Sequence, residues 1–182
     1  MSEFLKHAAK QYYLGTPIIS DEEYDALATK YSEEVGYSDS FKYSHLFKMY
    51  SLQKVFEGEE KDPFSNVNGT LVTSPKLDGA AVSLRYSNGS LALGLTRGDG
   101  KKGIDITDKL RMLVPEFLPI MGEVQVTGEV VCPSEVPNAR NVAAGALNLK
   151  NLADFALRPL TFVAYDVYPK ANDLWTKDLQ VL

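Results

Sequence analysis

The sequence predicts an α+β protein: a small helical module over about residues 1–45, then antiparallel sheets with helices over 46–182. Three observations carry this reading. Near the N-terminus, apolar residues recur at helical spacing behind a capping signal. From Gly69 onward the apolar period falls to two. Between two such alternating runs stands Asn88-Gly89, the strongest short hairpin signal. Apolar residues are 45% and charged residues 24% of the chain, enough for a packed core.

The first helix is expected over about Ser2 to Leu14, ending where Gly15 and Pro17 break it. A second begins at "SDEEYDALATKYSEEVG". There Ser20 and Glu23 form a capping box, Tyr24, Leu27, Ala28 and Tyr31 share a face, and Gly36 ends the element. "TLVTSPKL", "AAVSLRY" and "SLALGLTR" read as three strands, "RGDGKKG" as a glycine-rich loop and "IDITDKLRML" as a short helix. "EVQVTGEVVC" reads as a further strand, "NARNVAAGALNL" as a helix, "LRPLTFVAYDVY" as a long buried strand and "LWTKDLQVL" as a final helix.

The formal net charge is −5, so the chain lacks the basic surface with which a protein neutralises DNA phosphates. Its one cysteine, Cys132, excludes an internal disulfide and a multi-cysteine zinc site, and its apolar setting reads as a buried structural thiol. No apolar run reaches spanning length, and the N-terminus lacks a signal-peptide core, so a cytoplasmic protein without a membrane partner is expected.

"SPKLDGAAVSLRYSNG", from Ser74 to Gly89, sets a lysine two residues before an aspartate and a glycine. On a strand, Lys76 and Asp78 would share one face and Leu77 would point to the other. Alone this is weak: K-x-D-G should arise by chance in roughly one chain of this length in a few tens. A charged strand end entering a turn has the same spelling. The pattern gains weight from its successors along the chain, in order "TRGDG", "TGEVV", "NARN" with "AAG", then "RPLTF" with "AYDV".

This ordered set resembles the adenylation domain of NAD-dependent DNA ligases, which reads K-L-D-G, T-R-G-D-G, R-G-E-V, N-P-R-N-A-A-A-G and R-P-L. The N-terminal "ISDEEYDAL" is similar to the family's signature for the nicotinamide mononucleotide half of NAD, and "MYSLQKVF" to its L-S-L-x-N-x-F segment. The resemblance covers essentially the whole chain. It implies an incomplete nucleotidyltransferase domain of ATP-grasp-like architecture, with 1–45 as the mononucleotide-binding module and 46–182 as most of the adenylation domain. It also implies attack of Lys76 on NAD to give lysyl-AMP and nicotinamide mononucleotide, in the service of sealing nicked DNA.

An ordinary lysine, with a pKa near 10.4, is neutral in only about one molecule in a few thousand at pH 7. A lysine nucleophile therefore needs desolvation or nearby positive charge. Arg97 and a magnesium ion would supply the charge, whereas a carboxylate paired to Lys76 would oppose it. Asp78 is accordingly expected on the ribose or the metal. Glu129 takes the family's ribose or metal carboxylate role, so Asp78 and Glu129 are the implied magnesium ligands. The resemblance further assigns Ser51, Leu52, Ser74, Leu77, Gly79 and Arg140 to the adenylate, and Tyr12, Tyr13, Asp21, Tyr24 and Asp25 to the mononucleotide.

The chain departs from the family pattern at Ser74, where a glutamate that reads adenine is usual, and at Asn148, where a second arginine is usual and only Lys150 is near. Gln11 and Tyr12 align with the family's first pair of rings, with Tyr13 able to shift in, and the link between "GEVV" and "NARN" is short. The family's D-G-x-V-x-K strand, later lysine motif, OB-fold, zinc finger, helix-hairpin-helix repeats and BRCT domain have no counterpart in these residues. A second polypeptide carrying the remaining adenylation motifs and an OB-fold, or a further C-terminal region that carries them, is therefore expected, with nicked duplex DNA bound only by the complete enzyme. Two other readings stand beside this one. A non-catalytic remnant holding NAD or a protein partner would be expected to have lost some of Lys76, Asp78, Arg97 and Glu129. An ATP-dependent nucleotidyltransferase would lack the "ISDEEYD" helix.

Overall fold

Val82, Leu84 and Tyr86 alternate along one strand with Ser83 and Arg85, and that alternation divides the molecule into a packed face and a working face. The computed structural model of the chain describes residues 2–13, 18–20, 23–24, 26–27, 43–52, 68–69, 71–133 and 135–170. In chain order the elements are α1 (Ser2–Tyr13), β1 (Tyr43–Ser44), β2 (Ala80–Ser87), β3 (Ser90–Thr96), β4 (Lys102–Gly103) and α2 (Thr107–Leu110). They continue with β5 (Glu123–Val131), α3 (Ala139–Leu147), α4 (Leu152–Ala156) and β6 (Thr161–Tyr168).

Four strands form an antiparallel sheet in the order β3-β2-β5-β6. Asn88 and Gly89 both take positive φ between β2 and β3, as the tight hairpin turn requires. On the packed face, Val82, Leu84 and Tyr86 meet Val126 and Val130 of β5 and Val167 of β6. Leu110 of α2, Ala146 and Leu147 of α3 and Phe155 of α4 close over them. Tyr86 reaches through this core to donate from Oη to the Pro115 carbonyl at 2.7 Å, and desolvation pushes its phenol up to about 12. A buried hydroxyl is tolerable only with such a partner.

The other face carries Ser83 from β2 and Gln125 and Thr127 from β5, polar residues that are nonetheless buried. What covers them is the segment 43–52, a strap laid across the sheet. β1 pairs with β4, the Phe47 ring stacks on Tyr168 with centroids 5.4 Å apart, and the Met49 amide donates to the Gly100 carbonyl at 2.8 Å. Among the described residues no helix is long and apolar enough to cross a membrane.

Several expectations meet the structure directly. α1, the β2–β3 hairpin, α2, β5, α3 and β6 form where the pattern places them. The Ser20 capping box is present: the Glu23 amide donates to Ser20 Oγ at 3.2 Å, and Glu23 Oε2 accepts from the Ser20 amide at 2.9 Å. Tyr24, Ala26 and Leu27 are helical, while Asp21, Asp25 and the residues from 28 on, Gly36 among them, lie outside the described residues, as does "LWTKDLQVL".

Three expectations are corrected. The strand expected over "TLVTSPKL" does not form: residues 71–79 carry no sheet pairing, and Leu71 to Lys76 are exposed. Pro75 offers no N–H to a ladder, and no neighbouring strand among the described residues gives the apolar residues a face to cover. Lys76 and Asp78 therefore lie on an unpaired approach to β2, and strand alternation does not govern them. β6 is not a long buried strand. It is an edge that pairs with β5 alone among the described residues, leaving Thr161 and Val163 exposed. The glycine-rich "RGDGKKG" is partly a strand, because Lys102 and Gly103 pair with the strap. α4, which periodicity did not suggest, is a single turn capped by Asn151, whose side chain accepts from the Ala153 amide at 2.8 Å.

Candidate functional site

The site gathers at the end of the sheet where β2 begins and β3 ends. Gly79, buried just before β2, lies against β5: a Cβ there would come within 2.3 Å of the Val130 carbonyl oxygen and 2.9 Å of Glu129 Cγ. Only glycine lets the Lys76–Asp78 segment enter beside Glu129 at this separation. The register then sets Ala81 opposite Glu129, and the Arg97 amide donates to the Ala81 carbonyl at 3.0 Å. Positions 79, 97 and 129, far apart in sequence, are thus brought to one corner by ladder geometry.

Arg97 is gripped by the strap at two points. Its Nη2 donates to Ser51 Oγ in a short hydrogen bond, while its carbonyl oxygen receives His45 Nε2 at 3.0 Å. Its Nε is buried with no hydrogen-bond partner among the described residues. An orphaned guanidinium N–H costs free energy unless something arrives to accept from it, and anions do so well. Beyond Arg97, Asp99 folds the turn by accepting from the Lys101 and Lys102 amides at 2.8 and 2.7 Å. Partial desolvation pushes the Asp99 carboxyl upward, but these two amides, with the charge of Lys101, hold it below the usual range. Lys101 and Lys102 themselves are exposed.

Glu129 is the electrostatic centre. Desolvation pushes its carboxyl above the ordinary range, and Asp78 adds to that push. Lys76, Arg140 and Arg97 oppose it, and all four residues lie within electrostatic range of the carboxylate. Tyr165 also feels Glu129: burial first, then the charges of Glu129 and Asp166, push its phenol up to about 12 against the pull of Arg97. A register shift between Thr127 and Gly128 leaves Tyr165 between the Ala164↔Gly128 and Asp166↔Thr127 pairs, next to the Val163↔Glu129 pair.

Of the residues anticipated from sequence, Lys76, Asp78, Arg97, Glu129 and Arg140 therefore converge, with Arg140 in the first turn of α3. Ser51 joins them through Arg97, and Gly79 through its packing on Glu129. Leu52 and Ser74 are exposed, and Leu77 is half-buried on the approach to β2. The three ion pairs among the described residues join Arg85 to Glu123, Arg111 to Asp108 and Lys170 to Asp166, so Asp78 is not paired to Lys76. Tyr12 and Tyr13 end α1, and Tyr24 is a half-buried helical residue behind the Ser20 cap. The sequence reading passed over three residues that touch this corner: His45 and Ser83, joined to Arg97 through the His45 ring, and Tyr165, within electrostatic range of Glu129. For Tyr165 a signal existed: it stands two residues beyond Val163 in an alternating run.

No group of three or more His, Cys, Asp or Glu side chains that would cage a metal occurs among the described residues. Asp78 and Glu129 do lie within electrostatic range of one another, and two carboxylates suit an ion that keeps most of its shell as water and phosphate oxygens.

Residues 38–180 match the family model for the NAD-dependent DNA ligase adenylation domain. A DNA ligase of Corynebacterium urealyticum is 33% identical over 214 aligned residues, which take in 92% of this chain and 30% of that protein. The chain thus spans under a third of that relative's length.

Proposed function

The chain belongs to the NAD-dependent DNA ligase adenylation domain family, and from that premise we propose that its own reaction is self-adenylation of Lys76 by NAD. The neutral Nζ of Lys76 attacks the adenylyl phosphorus. A nitrogen–phosphorus bond forms as the bond from phosphorus to the bridging oxygen breaks. Nicotinamide mononucleotide leaves with that oxygen, and the amine proton passes to solvent.

The observation that carries this reading is the convergence on Glu129 of Lys76, Asp78, Arg97 and Arg140, drawn from separate stretches of sequence. Arg97, whose Nε has no partner among the described residues, and Arg140 bind the phosphates and stabilise the charge that grows on them. Ser51, Leu52, Ser74, Leu77 and Gly79 shape the adenosine pocket. With no glutamate at position 74, the adenine is read through backbone or water. Tyr24, with Asp21, Asp25, Tyr12 and Tyr13, takes the mononucleotide half, stacking an aromatic ring and accepting from ribose hydroxyls. Asp78 and Glu129 would hold a magnesium ion, which would neutralise phosphate charge. Sealing of nicked duplex DNA belongs to the complete enzyme, in which the remaining phosphate-binding and DNA-binding parts come from a further C-terminal region or from a second polypeptide.

Mass spectrometry after incubation with NAD and magnesium tests this, with the chain alone and with a polypeptide carrying the D-G-x-V-x-K strand and an OB-fold. AMP is expected on Lys76 and lost in Lys76→Ala. An adduct that maps to Lys101 or Lys102, or survives in the alanine variant, overturns the assignment.

A further inference from the structure

The strap's one histidine is placed to do more than fill space. His45 Nε2 lies 3.0 Å from the Arg97 carbonyl oxygen, and its Nδ1 lies 2.7 Å from Ser83 Oγ. A carbonyl oxygen only accepts, so Nε2 must carry the proton, and neutral Nδ1 then accepts from the Ser83 hydroxyl. Burial of the ring favours this neutral form, against the Arg97 carbonyl and the Asp99 charge. The imidazole is thereby fixed in tautomer and plane by two partners, Ser83 on β2 and Arg97 just past the end of β3.

Its effect falls on Arg97. The carbonyl that His45 holds also accepts from the Gly100 amide at 3.0 Å, and the Arg97 amide is committed to Ala81. Six residues along the same strap, Ser51 takes the far end of the guanidinium. One segment therefore holds the arginine by its main chain and by its tip, and leaves the buried Nε between them without a partner among the described residues. We propose that His45 is a positioning residue for the adenylation reaction: it locks the Arg97 main chain against the strap, so that Nε and Nη face the transferring phosphate in one preset orientation. This rests on the reading of the site as a lysyl-adenylation centre. A charge aimed in advance stabilises a transition state without reorganising, whereas a loosely held one must first be ordered.

The chemistry of the substitutions separates positioning from packing. Gln places an amide N–H where Nε2 lies and keeps the donor to Arg97. Ala removes it. Single-turnover formation of the Lys76 adduct at saturating NAD should slow by about tenfold to a hundredfold in His45→Ala and by less than about threefold in His45→Gln. The NAD concentration for half-maximal rate should move far less than the rate itself. In an Arg97→Lys background, where no fork remains to be aimed, His45→Ala should cost less than about threefold. Equal slowing in His45→Gln and His45→Ala, or an undiminished penalty in the Arg97→Lys background, overturns the inference while leaving the adenylation reading intact. Failure of the unsubstituted chain, supplied with a polypeptide carrying the D-G-x-V-x-K strand and an OB-fold, to form a Lys76 adduct overturns that reading instead. Nitrogen NMR of the imidazole gives a test that needs no turnover. A neutral Nε2–H ring at pH 7 is expected, and an Nδ1–H tautomer or an imidazolium sinks the geometry on which the proposal stands.

Discussion

Glu129→Gln keeps the shape of that side chain while removing its charge. The carboxyl is raised by burial even though Lys76, Arg140 and Arg97 surround it, so the folded chain holds the carboxylate less comfortably than the unfolded one does. Because the folded-state pKa lies above the ordinary value of 4.5, Glu129 contributes stability below that value and loses it as pH rises through the folded one. At neutral pH, Glu129→Gln should therefore melt at the same temperature as the natural chain or slightly higher, with the difference shrinking as pH falls toward 4.5. Formation of the lysyl adduct should nonetheless fall by about a hundredfold or more, the usual scale for losing one preorganised charge. Melting curves at several pH values, set beside adduct yields, check both halves. A large loss of stability at neutral pH would mean that the surrounding cations outweigh burial. At this scale the sequence was most informative. Lys76, Asp78, Arg97, Glu129 and Arg140 are legible as candidates because short motifs, each weak alone, follow one another in a fixed order along the chain. His45 and Gln125 were missed because their roles depend on main-chain atoms far away, which no local pattern encodes.

The strap from 43 to 52 shows what can and cannot be read at the level of an element. The alternating runs that became β2, β3 and β5 were legible, since each buries one face and the period states which. The run at 71–77 has similar letters but no partner among the described residues, and a strand without a ladder is not a strand. The strap has the opposite character: little periodicity, yet a defined path imposed by side chains on the sheet beneath it. Gln125 clasps Phe47 as a neighbouring strand would, accepting from its amide at 2.8 Å and donating to its carbonyl at 2.9 Å. Gln125→Leu should leave both groups without partners and cost about 1–3 kcal/mol in urea unfolding. The same variant should slow adenylation, because the loosened strap also carries Ser51 and His45. Unchanged stability would show that water replaces the amide without loss. Tyr165 escaped notice for a different reason: the bulge at Thr127–Gly128 shifts the pairing by one residue just where the aromatic side chain enters.

Taken whole, the chain has a net charge of −5, and its candidate site gathers cations only locally, around Glu129. It should therefore bind nicked duplex DNA weakly and with a shallow dependence on salt, since few counterions are released when few phosphates are neutralised. Titration of a labelled nicked duplex between 50 and 200 mM salt, on the order of the range where such losses are steep, checks this. Tight, strongly salt-dependent binding by the 182-residue chain alone would show a DNA surface that its charge does not suggest. The way the strap is tied down has a further consequence, one that concerns time and not affinity. Its contacts reach 38, 52 and 78 residues along the chain, and its amides at His45, Phe47 and Met49 are bonded to Lys101, Gln125 and Gly100 instead of to the four-stranded ladder. Such a segment can lift away while the sheet stays whole, so those three amides should exchange with solvent deuterium well before those of β2 and β5. Lifting would release Ser51 and the grip of His45 on Arg97 in one motion, making the nucleotide corner open and close as a unit faster than the protein unfolds.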